Sequence, residues 1–206
     1  MLSQSVASAL REAISAGEFQ PGERLSEVKA AERFNCSRNT LRESFTRLAA
    51  ERIVERIPNR GVFLAMPDAD YIRDLFAARA AIEPAAVRWG AFPDAPSLVT
   101  LTSSAFDYAA RGEHQEVSAI NQRFHRTLVA ALGSPTLNEQ MDNLLARMRL
   151  TFLLAIPRYP QLHADHIQGN ITLATLIADG KRQEAATLAH DSLMNTCEKI
   201  LAVLDD

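Results

Sequence analysis

The stretch from Ser26 to Leu64 holds two short helix patterns and a hairpin in immediate succession, and few folds accommodate that order. Ser26 reads as an N-cap with Glu27 in the first turn, because a serine hydroxyl accepts from the unpaired N–H groups that open a helix. Val28, Ala31 and Phe34 are expected to form the buried face of this short helix. Asn35-Cys36 breaks it, and Ser37 caps the next, whose core stripe is Leu41, Phe45, Leu48 and Ala49. Ile53 to Ile57 is short and β-branched, Pro58-Asn59-Arg60-Gly61 is a turn, and Val62-Phe63-Leu64 is a second strand. Upstream, Val6, Leu10, Ala13 and Ile14 fall on one helix face that Gly17 ends. Three helices followed by a hairpin describe a helix-turn-helix with a wing.

Beyond Met66 the pattern changes. Met66 to Asp70 is a short polar linker, and after it neither strand alternation nor a repeat is visible. Apolar residues recur at helical spacing in six segments, beginning with Tyr71, Leu75, Ala78 and Ile82, where Pro84 is a candidate kink. The others run through about Leu98–Ala110, Val117–Leu132, Leu137–Phe152, Ala164–Ala178 and Arg182–Val203. The expected chain is therefore mostly α. Residues 1–66 form a winged helix-turn-helix, and residues 67–206 form an antiparallel six-helix bundle, a construction that builds ligand sites from facing side chains. No apolar run approaches the roughly 18 residues that a membrane helix needs. Cys36 and Cys197 are far apart, with no CxxC, and read as reduced thiols of a cytoplasmic protein.

The net charge of −3 hides an asymmetry. Residues 1–66 carry ten Lys and Arg against eight Glu, whereas the remainder carries twelve basic against seventeen acidic residues. A polyanion is thus expected on the first part. Ser37, Arg38, Asn39, Thr40 and Arg42 lie at the N-terminal end of the third helix, off its apolar face, with Arg38 and Arg42 one turn apart. A helix N-terminus favours phosphate, hydroxyls reach phosphate oxygens, and arginine forms paired hydrogen bonds to guanine. With Arg60 and Gly61 at the wing tip, these seven residues are the candidate contacts to double-stranded DNA. For Arg42 the alternative is an ion pair with a nearby Glu.

Phe19-Gln-Pro-Gly-Glu-Arg-Leu-Ser-Glu27, Cys36-Ser-Arg-Asn-Thr-Leu-Arg-Glu43, Arg47-Leu48 and Asn59-Arg-Gly61 resemble the winged helix of GntR-family bacterial transcription regulators. Asn39-Thr40 and Ser44-Phe45 are mild departures from the family string. The resemblance implies operator contacts at Ser37, Arg38, Asn39, Thr40 and Arg42, with Arg60 and Gly61 on the wing.

The second half resembles the all-helical FCD domain of the FadR-type branch, and among these the shorter VanR-like group. Leu75–Glu83, Asn121-Gln-Arg-Phe-His125, Leu176–Gly180 and Ala185-Ala186 carry the likeness. It implies a divalent metal such as zinc, held by an Asp or Asn one turn before a His and by two later His. Asn121 and His125 match the first pair. Aligned on the Gly180 turn, the later positions hold Asn170 and Ser192. His166 and His190 restore two ligands only if both final helices shift register. Asn121, His125, Asn170 and Ser192 therefore read as a neutral polar pocket. Arg79, on the family's first-helix arginine position, either anchors a carboxylate effector or pairs with Glu83 at i+4.

The expected function is a ligand-responsive regulator, a repressor, that binds a palindromic operator as a homodimer and takes a small organic acid in its bundle. Two rivals are a metal-dependent enzyme using His125, His166 and His190, and an architectural DNA-binding protein with a packed bundle and no cavity. No HExxH, GxSxG or Walker loop supports an enzyme.

Overall fold

The computed structural model describes residues 2–205, apart from the side chains of Leu2 and His163. The element order is α1 (Leu2–Ser15), β1 (Arg24–Leu25), α2 (Glu27–Arg33), α3 (Arg38–Ala50), β2 (Val54–Ile57), β3 (Gly61–Leu64), α4 (Ala69–Trp89), α5 (Ala95–Ala110), α6 (His114–Ala130), α7 (Pro135–Ala155), α8 (Leu162–Ala178) and α9 (Arg182–Asp205). None of these helices is long and apolar enough to cross a membrane, among the described residues. Two compact units result. The first is the chain up to Asp68 together with Leu145–Leu154, and the second is Ala69–Leu144 with the chain from Ala155 onward.

In the first unit α1 and α2 pack on α3, and the buried stripe of α3 is Leu41, Ser44, Phe45 and Leu48. Ser44 is tolerated there because its hydroxyl donates to the carbonyls of Ser3 and Thr40, both at 2.9 Å. The wing is a three-stranded antiparallel sheet in the order β1-β3-β2. Its extra strand is only two residues long, with Arg24 opposite Phe63 and Leu25 opposite Val62. The short helix α2 differs from expectation: Ala30 is its buried residue, while Val28 is 46% exposed. On a seven-residue helix the small alanine faces α3, and the larger apolar side chain does not.

The segment Leu145–Leu154 also departs from an arrangement that assigns all six C-terminal helices to one bundle. It is buried at every position between Leu144 and Phe152, including Arg147, Arg149 and Thr151. A helix apolar on several faces is a buried helix. Arg149 lies against Gly17 so closely that a Cβ there would sit 2.2 Å from Nη2. Gly17 also has φ +81°, a conformation that side chains disfavour, so the backbone of the turn after α1 favours glycine.

In the second unit α4 packs on α9 and α6, α5 on α8 and α6, and α8 on α9 and α6. Val87, Leu98, Phe124, Leu128, Leu173 and Ile177 belong to its core. Pro84 sits inside α4, which continues unbroken to Trp89.

Candidate functional site

The exposed end of α3 is built by its cap. Ser37 Oγ accepts from the backbone N–H of Thr40 at 3.1 Å and lies 2.8 Å from Thr40 Oγ1. This fixes the first turn, from which Arg38 and Asn39 project into solvent and Arg42 one turn later. In the free protein Arg42 is paired. Its Nε donates to both Glu27 oxygens at 3.3 and 3.1 Å, and its Nη2 is 3.0 Å from Oε2. The Glu27 hydrogen bond, then its charge, raises the Arg42 pKa, so the guanidinium remains a cation. At 58% exposure this pair is weak and exchangeable for a phosphate or a guanine edge. Arg56 Nη2 donates to the Arg42 carbonyl at 2.6 Å. The wing tip turns through Asn59 at φ +60° and Gly61 at φ +113°, with the Arg60 guanidinium 5.8 Å from the centroid of the Phe63 ring. Glu27, Arg42, Arg56, Asn59 and Gly61 border one shallow groove, which brings α3 and the wing together.

The second unit holds a cavity of about 110 Å³ among α4, α6, α8 and α9. At about 10–15 Å³ per water-sized centre, that suits a ligand of on the order of ten non-hydrogen atoms. At its buried end Glu83 accepts from two partners. Arg79 Nε donates to Oε1 at 2.6 Å, and His125 Nδ1 stands 2.6 Å from Oε2. Arg79 is 2% exposed, Glu83 1% and His125 6%. Burial alone would raise the Glu83 pKa, but the charges and hydrogen bonds of Arg79 and His125 overcome it and hold the carboxyl at about 2. Of the two readings of Arg79, the ion pair with Glu83 is the one present, and Arg79 also lines the cavity.

His125, Asn170, His166 and Ser192 line the same cavity. Asn121 borders a small adjoining one, and its Oδ1 accepts from Asn170 Nδ2 at 2.7 Å. His190 does not join them: its ring is half exposed and lies 3.0 Å from the Asp191 carboxylate. Three lining residues were not legible as site residues. Tyr159 O–H donates to Asp165 Oδ2, and Lys199 Nζ donates to the same oxygen at 3.3 Å. The hydroxyl bond, more than the lysine, holds Asp165 below the ordinary carboxylate range. Asp165 and Lys199 side chains are 39% and 46% exposed, so this end of the cavity is the open one. A packed bundle without a cavity, as an effector-free architectural protein would have, is not what the chain forms.

Residues 2–64 match the family described as bacterial regulatory proteins, gntR family, and residues 74–195 match the FCD domain. The chain belongs to the GntR family. It is 26% identical to the Nta operon transcriptional regulator of Aminobacter aminovorans, across 90% of this chain and 88% of that one. It is 28% identical to the HTH-type transcriptional repressor GlaR of Escherichia coli K12, across 88% of each. A solved structure from Rhodococcus sp. RHA1, described as a transcriptional regulator GntR, superposes with a TM-score of 0.82 at 29% identity and 97% coverage of each chain. The families and relatives are transcription regulators, so the protein is a DNA-binding regulator and not an enzyme.

The three-histidine metal site of FCD domains does not fit this donor set. Among the described residues His125 and His166 are the histidines lining the cavity, and His190, half exposed beside Asp191, is not among its lining residues. The Asn121 oxygen is spent on Asn170, and Ser192 is a poor zinc ligand. Among the described residues no three His, Cys, Asp or Glu are grouped to hold an ion.

Proposed function

We propose that this GntR regulator is a repressor that binds a palindromic operator as a homodimer, and that a small organic acid in the cavity of the second unit releases it. Ser37, Arg38, Asn39, Thr40, Arg42, Arg60 and Gly61 contact the operator; Arg79, Asn121, His125, Asn170 and Ser192 shape the effector site. What supports the reading is the cavity itself, small, lined by apolar and polar side chains together and placed in the FCD unit, where it holds a buried ionised Arg79–Glu83 pair and His125. Perturbed carboxylates in such cavities mark functional sites, and two-fold operators mirror dimeric regulators.

The test selects duplexes from a random library with the full-length protein, then measures operator affinity with and without a panel of mono- and dicarboxylates. A dyad-symmetric site, released by at least one acid, is the expected result. Selected sites lacking symmetry refute the dimeric reading. No acid changing operator affinity by more than twofold refutes the effector reading.

A further inference from the structure

A carboxylate stands on the face that a duplex approaches. Glu27, the first residue of α2, borders the groove between α3 and the wing together with Arg42, Arg56, Asn59 and Gly61. Double-stranded DNA carries one negative charge per about 1.7 Å of its axis, so an acidic side chain here opposes contact with the backbone whatever the sequence. The pair that Glu27 forms with Arg42 is partly exposed and contributes little to stability. Its consequence is for the partners that Arg42 can take next.

Nε of Arg42 donates to both carboxylate oxygens, and Nη2 stands 3.0 Å from one of them, so one edge of the guanidinium is filled by the two oxygens of a single anion. Carboxylate and phosphate match that edge alike, and Glu27 is seated as a phosphate would be. The backbone at Arg42 is held on both sides of this choice. Its carbonyl accepts from Arg56 Nη2 at 2.6 Å and from Thr46 Oγ1 at 2.9 Å, so only the side chain exchanges partners. Moving the guanidinium to a phosphate leaves Glu27 without its cation and beside a second anion. Moving it to a guanine edge also opens the pair, but the new acceptors, O6 and N7, belong to a neutral base. Two like charges about 4 Å apart in water change an equilibrium constant by about a factor of five. That factor falls on the phosphate contact and not on the guanine contact.

We propose that Glu27 is a specificity-determining residue of this regulator: it occupies Arg42 as a built-in phosphate mimic, disfavours the contact of that arginine with phosphate, and leaves guanine as the partner Arg42 takes on the operator. The proposal rests on the reading of Arg42 as an operator contact. A duplex without the operator sequence offers Arg42 phosphate alone, so Glu27 weakens binding to it more than binding to the operator, and the ratio of the two affinities rises.

Fluorescence anisotropy of the full-length protein on the selected operator and on a duplex of scrambled sequence tests this. Glu43 is the control, because it borders the same groove and, among the described residues, carries no hydrogen bond or ion pair. Glu43→Gln is expected to tighten both duplexes equally, which gives the general effect of one lost negative charge. Glu27→Gln is expected to tighten the scrambled duplex about fivefold more than the operator, and to steepen the salt slope on the scrambled duplex by about one unit as Arg42 takes a phosphate. In the Arg42→Ala background Glu27→Gln is expected to act like Glu43→Gln, equally on both duplexes. Circular dichroism checks each fold, and Glu27→Ala stands in if Glu27→Gln does not fold. Equal tightening of the two duplexes by Glu27→Gln overturns the proposal, since Glu27 then acts through net charge alone. So does a fivefold difference that persists in Arg42→Ala. A loss of operator affinity in Glu27→Gln, with the scrambled duplex unchanged, overturns it in favour of a Glu27 contact to a cytosine amino group. Arg42→Ala that weakens neither duplex removes Arg42 from the interface, and the contact reading fails together with the proposal. If Arg42→Ala weakens the operator while Glu27→Gln leaves the ratio unchanged, the proposal fails alone.

Discussion

Replacing Glu83 by Gln removes one charge from the buried end of the cavity at nearly constant volume. The glutamine oxygen still accepts from Arg79 Nε, but the guanidinium loses its counter-charge at 2% exposure. Two routes give the cost. The Glu83 carboxyl is held at about 2, against an ordinary 4.5. That depression is worth about 3 kcal/mol of stability at neutral pH, at roughly 1.4 kcal/mol per unit. Breaking a buried ion pair from one side independently costs about 3–5 kcal/mol. Glu83→Gln should therefore lower stability at pH 7 by about 3 kcal/mol, a fall in Tm of about 6–12 °C for a chain of this size. The sign in pH is fixed by the direction of the shift. A depressed carboxyl contributes fully above the ordinary value of 4.5, and its contribution is lost as pH falls toward about 2. Urea unfolding followed by circular dichroism at pH 7, 5, 4 and 3 reads the difference between the two proteins, in which titrating groups that do not touch Glu83 cancel. The difference should shrink as pH falls from 5 to 3. A variant within about 0.5 kcal/mol of the unaltered protein at pH 7, which is the scatter of ordinary surface substitutions, would refute the reasoning. So would a difference independent of pH.

Arg42→Ala should cost about 1–3 kcal/mol on the selected operator if the side chain reads a base after leaving Glu27. An equal loss on all duplexes, with the salt slope reduced by about one unit, would assign it to phosphate. Gly17→Ala imposes left-handed backbone on an alanine and drives its Cβ into Arg149, so it should destabilise the protein by about 1–2 kcal/mol from the backbone alone. A chemical-denaturation midpoint equal to that of the unaltered protein would contradict this. Light scattering at micromolar concentration should report a homodimer, and a monomer that binds operator with full affinity would exclude the two-fold mode.

The candidate DNA-binding residues group in the sequence because their spacing is local. Ser37 to Arg42 lie within two turns of one helix, and Arg60-Gly61 lie in one tight turn, so spacing alone groups them. What escaped was also a matter of length. Two residues, Arg24 and Leu25, cannot display the alternation that reveals a strand, and they pair with β3 only through register. On α2, Val28 outweighed Ala30 in apolarity, yet helix packing selected the smaller side chain. The segment Leu145–Leu154 has a helical pattern, but periodicity does not say which unit buries it.

The cavity was half legible for the complementary reason. Asn121 and His125 are one turn apart on α6, and Arg79 and Glu83 one turn apart on α4, so each pair is readable within its own helix. Which pair meets which depends on how the helices rotate about their axes. His125 reaches Glu83 across 42 residues, Asn170 reaches Asn121 across 49, and Lys199 reaches Asp165 across 34. In the linear chain Asp165 is an acid in the first turn of α8, a place where carboxylates are common, and Lys199 is one polar residue among several on α9. Neither carries a signal of its own. Their chemistry arises when α8 and α9 pack and the loop through Pro157 and Pro160 brings the Tyr159 hydroxyl to the same oxygen. An exposed lysine–aspartate pair contributes little to folding, and the fold does not need these two side chains paired at this spot. Their meeting at the open end of the cavity is a product of how α8, α9 and the loop between α7 and α8 pack, which no single stretch of the sequence displays.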